Sequence, residues 1–256
     1  MNIVVCIKQT FDTEAKIVLD GSGKIDANGV NLIINPYDEY AIEEGIRLKE
    51  KLGGTVTVVS MGGAQGQAAL RTALAMGIDK AVLVSDPAIN VDEWGSAEIL
   101  AKAISQIPYD IVLAGRIAVD DGSSQVAVRL AEVLNVPSVS SILKLEVNGT
   151  QATVTREIDG GTELIEVALP AVMTAQKGLN DPRYPSVAGI MKAKKKELKT
   201  FTLADLGLSA GDLAPKMNVQ KYTLPQPRKA GQKIPGEAAQ AAHELARLLR
   251  EEAKVL

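Results

Sequence analysis

Over residues 3–134, short apolar runs alternate with helix-length segments, and this alternation limits the possible folds more than any other feature of the chain. Residues 3–7, 55–60, 80–85 and 109–114 read as strands. Residues 37–52, 65–76, 92–107 and 122–134 read as helices. The first of these helices carries Ala41, Ile42, Gly45, Ile46 and Leu48 at helical spacing and is stopped by Gly53 and Gly54. Strands separated by helices of this length imply a parallel sheet with right-handed crossovers, helices on both faces, and a doubly wound α/β architecture. Such sheets bind ligands beyond the C-terminal strand ends, where the strand order reverses.

The pattern changes after residue 140. Residues 141–147, 150–156 and 163–169 alternate apolar and polar positions, and Asn148-Gly149 is a strong hairpin turn. An antiparallel extension of the parallel sheet is expected there. After Thr174 the chain reads as loop, and residues 217–235 as an extended, proline-punctuated arm. Residues 236–256 close the chain as a helix with an apolar stripe of Ala238, Ala242, Leu245, Leu248 and Leu249. The expected division is a nucleotide-binding α/β domain over 1–216 and an arm plus helix over 217–256. That second part suits a partner clasp and equally suits packing on its own domain.

A length of 256 residues with 46% apolar composition supports a real core. A net charge of −3 gives no global attraction to nucleic acid, and no nucleic-acid fold signature accompanies the local basic run. The single cysteine, Cys6, excludes a disulfide framework within the chain, and the single histidine, His243, weakens histidine-based catalysis or metal binding. No apolar run reaches membrane-spanning length and the start of the chain does not read as a signal peptide, so a cytoplasmic protein is expected. No Ser-His-Asp order, HExxH or P-loop lysine motif is present.

Three patches can carry chemistry. The first is GRIAVDDGSSQV, residues 115–126, between a buried-type strand and a helix. A helix N-terminus there presents backbone N–H groups and a positive dipole end, which suits a phosphate. Gly122 admits a close backbone approach, and Ser123, Ser124 and Gln125 add neutral donors. Asp120 and Asp121 suit ribose hydroxyls, a cation or a simple helix cap. A capped helix without ligand is the plainer reading. The glycine spacing is not that of the dinucleotide fingerprint. The second patch is Asn35-Pro36-Tyr37-Asp38, where Asn35 can cap a helix and Pro36 can open it. Ser60-Met61-Gly62-Gly63 is a further strand end that can line the same crevice. The third patch spans residues 177–199: an apolar group of Tyr184, Val187, Ile190 and Met191, then five lysines between Lys192 and Lys199. A lysine run is usually a solvated element end, but beside exposed apolar residues it also suits docking.

The chain resembles the beta subunit of electron-transfer flavoproteins over nearly its whole length. VTREIDGGTELIEVALPAVMTA, residues 154–175, is similar to the family signature, with Arg156, Asp159-Gly160-Gly161, Glu163 and Pro170 in place. NPYDEYAIEEGIRLKE, LRTALAMG and LNDPRYPSVAGIMKAKKK follow in the family's order. The resemblance implies an adenine-nucleotide-hydrolase-like fold and a heterodimer with an alpha subunit. FAD is then held mainly by that alpha subunit, and in the common branch the beta subunit holds a structural AMP. Electrons pass from acyl-CoA dehydrogenases, as in fatty-acid β-oxidation, toward a membrane quinone reductase. By motif, the implied AMP contacts are Cys6, Asn35, Pro36, Tyr37, Asp38, Met61, Gly115, Arg116, Ile117, Ala118, Val119, Asp120, Asp121, Gly122, Ser123, Ser124, Gln125 and Val126. The implied dehydrogenase-recognition loop contributes Tyr184, Val187, Ile190, Met191, Lys194, Lys195 and Lys196. Val187 stands where the family commonly has leucine.

The resemblance also contains a departure. The AMP-holding branch often reads Asp-Asp-Asp-Cys-Asn-Gln-Thr where this chain has Asp120-Asp121-Gly122-Ser123-Ser124-Gln125-Val126. A Gln-Val ending also occurs in the electron-bifurcating branch, which holds a second FAD and oxidises NADH. The signature block and recognition loop favour the AMP branch. A universal-stress-type nucleotide sensor is the remaining rival, and the antiparallel block speaks against it.

Overall fold

The computed structural model describes residues 1–228 and 230–256. They divide into two compact units, Met1–Ile17 with Asp26–Gln220, and Val18–Ile25 with Lys221–Leu256.

In the first unit the order is β1 (Asn2–Ile7), β2 (Gln9–Phe11), β3 (Leu32–Ile34), α1 (Pro36–Leu52), β4 (Thr55–Met61), α2 (Gly66–Met76), β5 (Lys80–Val84), α3 (Glu93–Ile104), β6 (Ile111–Gly115) and α4 (Val126–Leu134). It continues with β7 (Ser138–Asn148), β8 (Gln151–Ile158), β9 (Gly161–Ala168), β10 (Ala171–Ala175), α5 (Val187–Ala193), β11 (Leu198–Phe201) and a 3-10 turn at Ala204–Leu206. The main sheet runs β11-β5-β4-β1-β6-β10-β7-β8-β9. All neighbours from β11 to β7 are parallel, and β7-β8-β9 is antiparallel.

The period-two alternation of the strands builds two cores. Ile3, Val5 and Ile7 of β1 face one core with α1 and α2, while Val4 and Cys6 face the other with α3 and α4. Ile111 and Leu113 of β6 repeat the first set, and Val112 and Ala114 the second. Burial on both faces explains why these strands read as continuous apolar runs. The expected doubly wound α/β class with an antiparallel extension is the observed fold.

Several boundaries differ from the sequence reading. The helix expected from residue 122 starts at Val126, because Gly122 (φ 67°) and Ser124 (φ 55°) are left-handed and cannot belong to a helical turn. The helix expected from residue 92 starts at Glu93, with Asp92 as its cap. The central strand β10 was not expected as an element. It lies between β6 and β7, with all five residues buried. β7 is longer than expected: its first part pairs in parallel with β10 and its second part antiparallel with β8. The switch falls at a bulge beside Ser141 (φ 60°), whose N–H donates to Thr174 Oγ1 at 3.0 Å. Inside the stretch read as loop and lysine run lie α5 and β11, the latter paired with β5.

In the second unit, Asp20 closes a turn by accepting from Ser22 and Lys24, and Leu19 bridges Ile25. The described residues between Lys221 and Gly236 form no helix or strand. The helix α6 (Ala238–Glu251) is shorter than the expected 236–256 and buries none of its residues. Arg247 pairs with Glu244 and Glu251 along it.

Candidate functional site: a cavity at the reversal of strand order

β1 leads to β4 on one side and has β6 on the other, so the strand order reverses between β1 and β6. A cavity of about 630 Å³ opens there. Cys6, Ile7 and Lys8 line it from the end of β1, and Ala114 to Ala118 from the end of β6.

Asn35 and Asp38 tie these strand ends to the start of α1. Asp38 Oδ2 accepts from the Lys8 backbone N–H at 2.7 Å, and Oδ1 accepts from the Gly115 N–H and Asn35 Nδ2, both at 3.0 Å. Asn35 does not cap α1 with its side chain. Its Nδ2 donates to Ile117 O at 2.9 Å, and its Oδ1 accepts from Val119 N at 3.2 Å. The motif is therefore a clamp holding β1, β6 and the 117–119 loop in register. Gly115 is required by this packing: a Cβ there would lie 2.3 Å from Asp38 Oδ1 and 2.8 Å from the Tyr37 carbonyl carbon. Burial pushes the Asp38 carboxyl up to about 7, against the pull of its N–H donors and of Lys8. Burial, with Asp38 nearby, likewise pushes the Cys6 thiol up to about 12, so it is a packed apolar group rather than a nucleophile.

The acidic pair beyond β6 is already engaged. Lys8 Nζ lies 2.9 Å from Asp120 and 2.8 Å from Asp121. Burial alone would lower the Lys8 ammonium, and these two carboxylates more than reverse it. Asp121 Oδ1 accepts from the Ser123 N–H. Neither aspartate caps α4, whose N-terminus has no side-chain cap and opens on the cavity through Ser124, Gln125, Val126 and Ala127. Gln125 turns its Oε1 to Arg129 instead. Arg116 also lines the cavity; its guanidinium stands 6.0 Å from the Tyr37 ring centroid, and its buried Nε has no partner among the described residues.

Of the residues expected at this site, Cys6, Asn35, Asp38, Met61, Gly115, Arg116, Ile117, Ala118, Asp121, Ser123, Ser124, Gln125 and Val126 line the cavity. Pro36, Tyr37, Val119, Asp120 and Gly122 are not part of that lining. Gly122 has open space where a Cβ would point, so its left-handed φ, not a close approach, is what calls for glycine. Sequence reasoning missed Lys8, which the end of β1 would have indicated. It also missed the far wall, formed by Asn90 to Glu93 before and at the start of α3 and by Pro215, Met217, Asn218 and Val219. Nothing in the sequence marked that second segment.

The other patch lies on α5 and its approach. Tyr184, Val187 and Met191 are 94%, 79% and 68% exposed, and Ile190 is also exposed. Ser186 caps the helix through the Gly189 N–H. Arg183 anchors the approach on α1, with three N–H bonds to the buried Glu43 and two to Glu50. Lys194 and Lys195 are exposed, but Lys196 Nζ donates to the carbonyls of Leu74 and Ile78 at the end of α2 and is a structural cation.

The signature block is a hairpin with Arg156 and Glu163 paired across β8 and β9. The electron transfer flavoprotein domain model matches residues 22–206. A Bacillus subtilis electron transfer flavoprotein subunit beta is 50% identical over 258 residues, covering all of both chains. The Syntrophomonas wolfei subunit beta is 46% identical, over all of this chain and 98% of its own. The human subunit beta is 39% identical, over 91% of this chain and 92% of its own.

The chain belongs to the electron transfer flavoprotein family, as a beta subunit. With membership comes the coarse role, electron transfer within a flavoprotein. No helix among the described residues is long and apolar enough to cross a membrane.

Proposed function

We propose that this electron transfer flavoprotein beta subunit pairs with an alpha subunit and holds AMP in the cavity between β1 and β6. In this reading AMP is structural. It sits opposite the uncapped α4 N-terminus, which offers the phosphate unpaired backbone N–H groups and a positive dipole end. The observation that carries the reading is that this helix end, the Arg116 guanidinium with its orphaned Nε and the Asn35–Asp38 clamp meet in one cavity at the reversal of strand order. Lys8 neutralises part of the Asp120–Asp121 charge that would otherwise repel a phosphate.

The redox chemistry belongs to FAD, held mainly by the alpha subunit. This chain's part is to complete the heterodimer and present the docking surface. Electrons then come from acyl-CoA dehydrogenases and leave toward a membrane quinone reductase, in the cytoplasm of the host cell. Val187, Ile190, Met191 and Tyr184 form an exposed apolar tip suited to a dehydrogenase pocket, and Lys194 and Lys195 steer an acidic partner.

The test is the nucleotide content of the purified heterodimer. One AMP and one FAD per heterodimer support the proposal. Two FAD and no AMP, with NADH oxidation, would replace it with the bifurcating function.

A further inference from the structure

The far wall of the cavity is a strap of chain with few attachments. Leu213, just before it, is buried against α3. Pro215, Met217, Asn218 and Val219 then pass along the cavity, yet Met217 and Val219 are 62% and 65% exposed. They border the cavity without being packed into a core.

The Asp92 carboxylate joins this strap to the body. Asp92 Oδ1 caps α3 by accepting from the Trp94 and Gly95 N–H groups, each at 3.1 Å. Its Oδ2 accepts from the Lys216 N–H at 2.7 Å and the Met217 N–H at 3.1 Å. Burial alone would raise this carboxyl, but its four backbone donors outweigh that and hold it below the usual carboxylate range. Beside it, Lys216 Nζ lies 3.4 Å from the centroid of the Trp94 ring. Two charge-assisted bonds and one cation–π contact therefore meet at the first turn of α3, where the strap begins to cover the cavity.

We propose that Asp92 and Trp94 are positioning residues that latch residues 215–219 over the cavity and so set how fast its occupant leaves. The identity of that occupant as AMP rests on the function proposed above; the latch does not. The latch acts on the barrier to opening, so it changes the rate of release more than the contacts made by the bound molecule.

The experiment uses the heterodimer carrying Asp92→Asn, Lys216→Ala or Lys216→Arg. Asparagine keeps an oxygen for the α3 amides but turns an N–H₂ toward the strap amides. The complexes are loaded with radiolabelled AMP and chased with excess unlabelled AMP. Release is expected to be about ten-fold faster in Asp92→Asn, from the lost charge-assisted bonds. It should be about five-fold faster in Lys216→Ala, from the lost cation–π contact, and near wild type in Lys216→Arg. Unchanged release in both Asp92→Asn and Lys216→Ala would overturn the latch, and so would fast release in Lys216→Arg. A heterodimer that neither contains nor takes up AMP would defeat the nucleotide assignment instead. The latch is then decided by amide hydrogen exchange at Asn218 and Val219, strap residues whose own amides Asp92 does not bond. Faster exchange there in Asp92→Asn and Lys216→Ala supports the latch, and equal exchange in all variants overturns it.

Discussion

Gly115→Ala is the sharpest perturbation of the clamp that shapes the cavity. The added methyl would meet Asp38 Oδ1 at 2.3 Å, the Tyr37 carbonyl carbon at 2.8 Å and the Asp38 nitrogen at 2.9 Å. Two of these three atoms are backbone, so no rotamer change relieves the clash, and α1 must move away from β6. Forcing one extra methyl into a packed site costs about 1–3 kcal/mol. The same displacement weakens the Gly115 N–H bond to a buried carboxylate, which is worth about 1.5–3 kcal/mol. The two costs share one movement and do not simply add, so a loss of about 3 kcal/mol is expected. At about 2–4 °C per kcal/mol for a chain of this size, the thermal midpoint should fall by about 6–12 °C. AMP extracted from the purified heterodimer should fall with it, because the displaced clamp includes Asn35 and Ile117. Calorimetry and nucleotide extraction on wild type and variant make the test. A variant with an unchanged midpoint and full AMP content would refute the claim that close approach of Asp38 requires glycine.

Val187→Ala should slow dehydrogenase-to-carrier electron transfer about ten-fold at sub-saturating carrier. It removes two methyl groups, on the order of 1–2 kcal/mol if both are buried on docking. FAD content and fold should not change, since Val187 is 79% exposed. Arg183→Ala leaves the buried Glu43 with Arg47 as its remaining cation. About 2 kcal/mol should be lost, below the value for a fully buried pair because Arg183 is itself partly exposed. Faster hydrogen exchange over residues 180–190 should accompany that loss, and unchanged exchange would show that Arg183 does not hold the loop. Asp38 should make stability fall as pH rises: its carboxyl ordinarily titrates near 3.8 and in the fold near about 7, so the stabilisation is present below pH about 4 and lost through about 7. Asp38→Asn should remove that slope, read as denaturation midpoints between pH 4.5 and 7.5. An equal slope in both proteins would assign it to other groups.

The strands buried on both faces were legible because continuous apolar runs such as Ile3–Val4–Val5 admit few other readings. β10 was missed because Ala171–Ala175 is short, lies directly behind Pro170 and has no turn signal separating it from the alternating block. Its strand character comes from its two parallel neighbours, β6 and β7, which are distant in sequence. The start of α4 was misplaced for a related reason. Asp120 and Asp121 read as a helix cap, but the left-handed Gly122 and Ser124 turn the chain and delay the helix to Val126.

The site was half legible, and the division follows sequence distance. The walls built from strand-to-helix junctions, at residues 35–38 and 115–126, could be found because each junction is local and carries its own turn chemistry. What each residue does there was not local. Asn35 reads as a helix cap, yet its side chain bonds across 82 residues to Ile117 and 84 residues to Val119. Lys8, just beyond β1, carried no signal of its own beyond that position, yet it holds the acidic pair more than 100 residues further on. Asp92 reads as the first residue of a helix, yet one of its oxygens caps α3 and the other reaches 124 residues to the strap. A carboxylate has two oxygens with separate lone pairs, so one local role leaves the other free for a tertiary one. In this chain the two oxygens of Asp38 tie the end of β1 to the end of β6, one oxygen to each, and the second oxygen of Asp92 holds the strap beside the cavity.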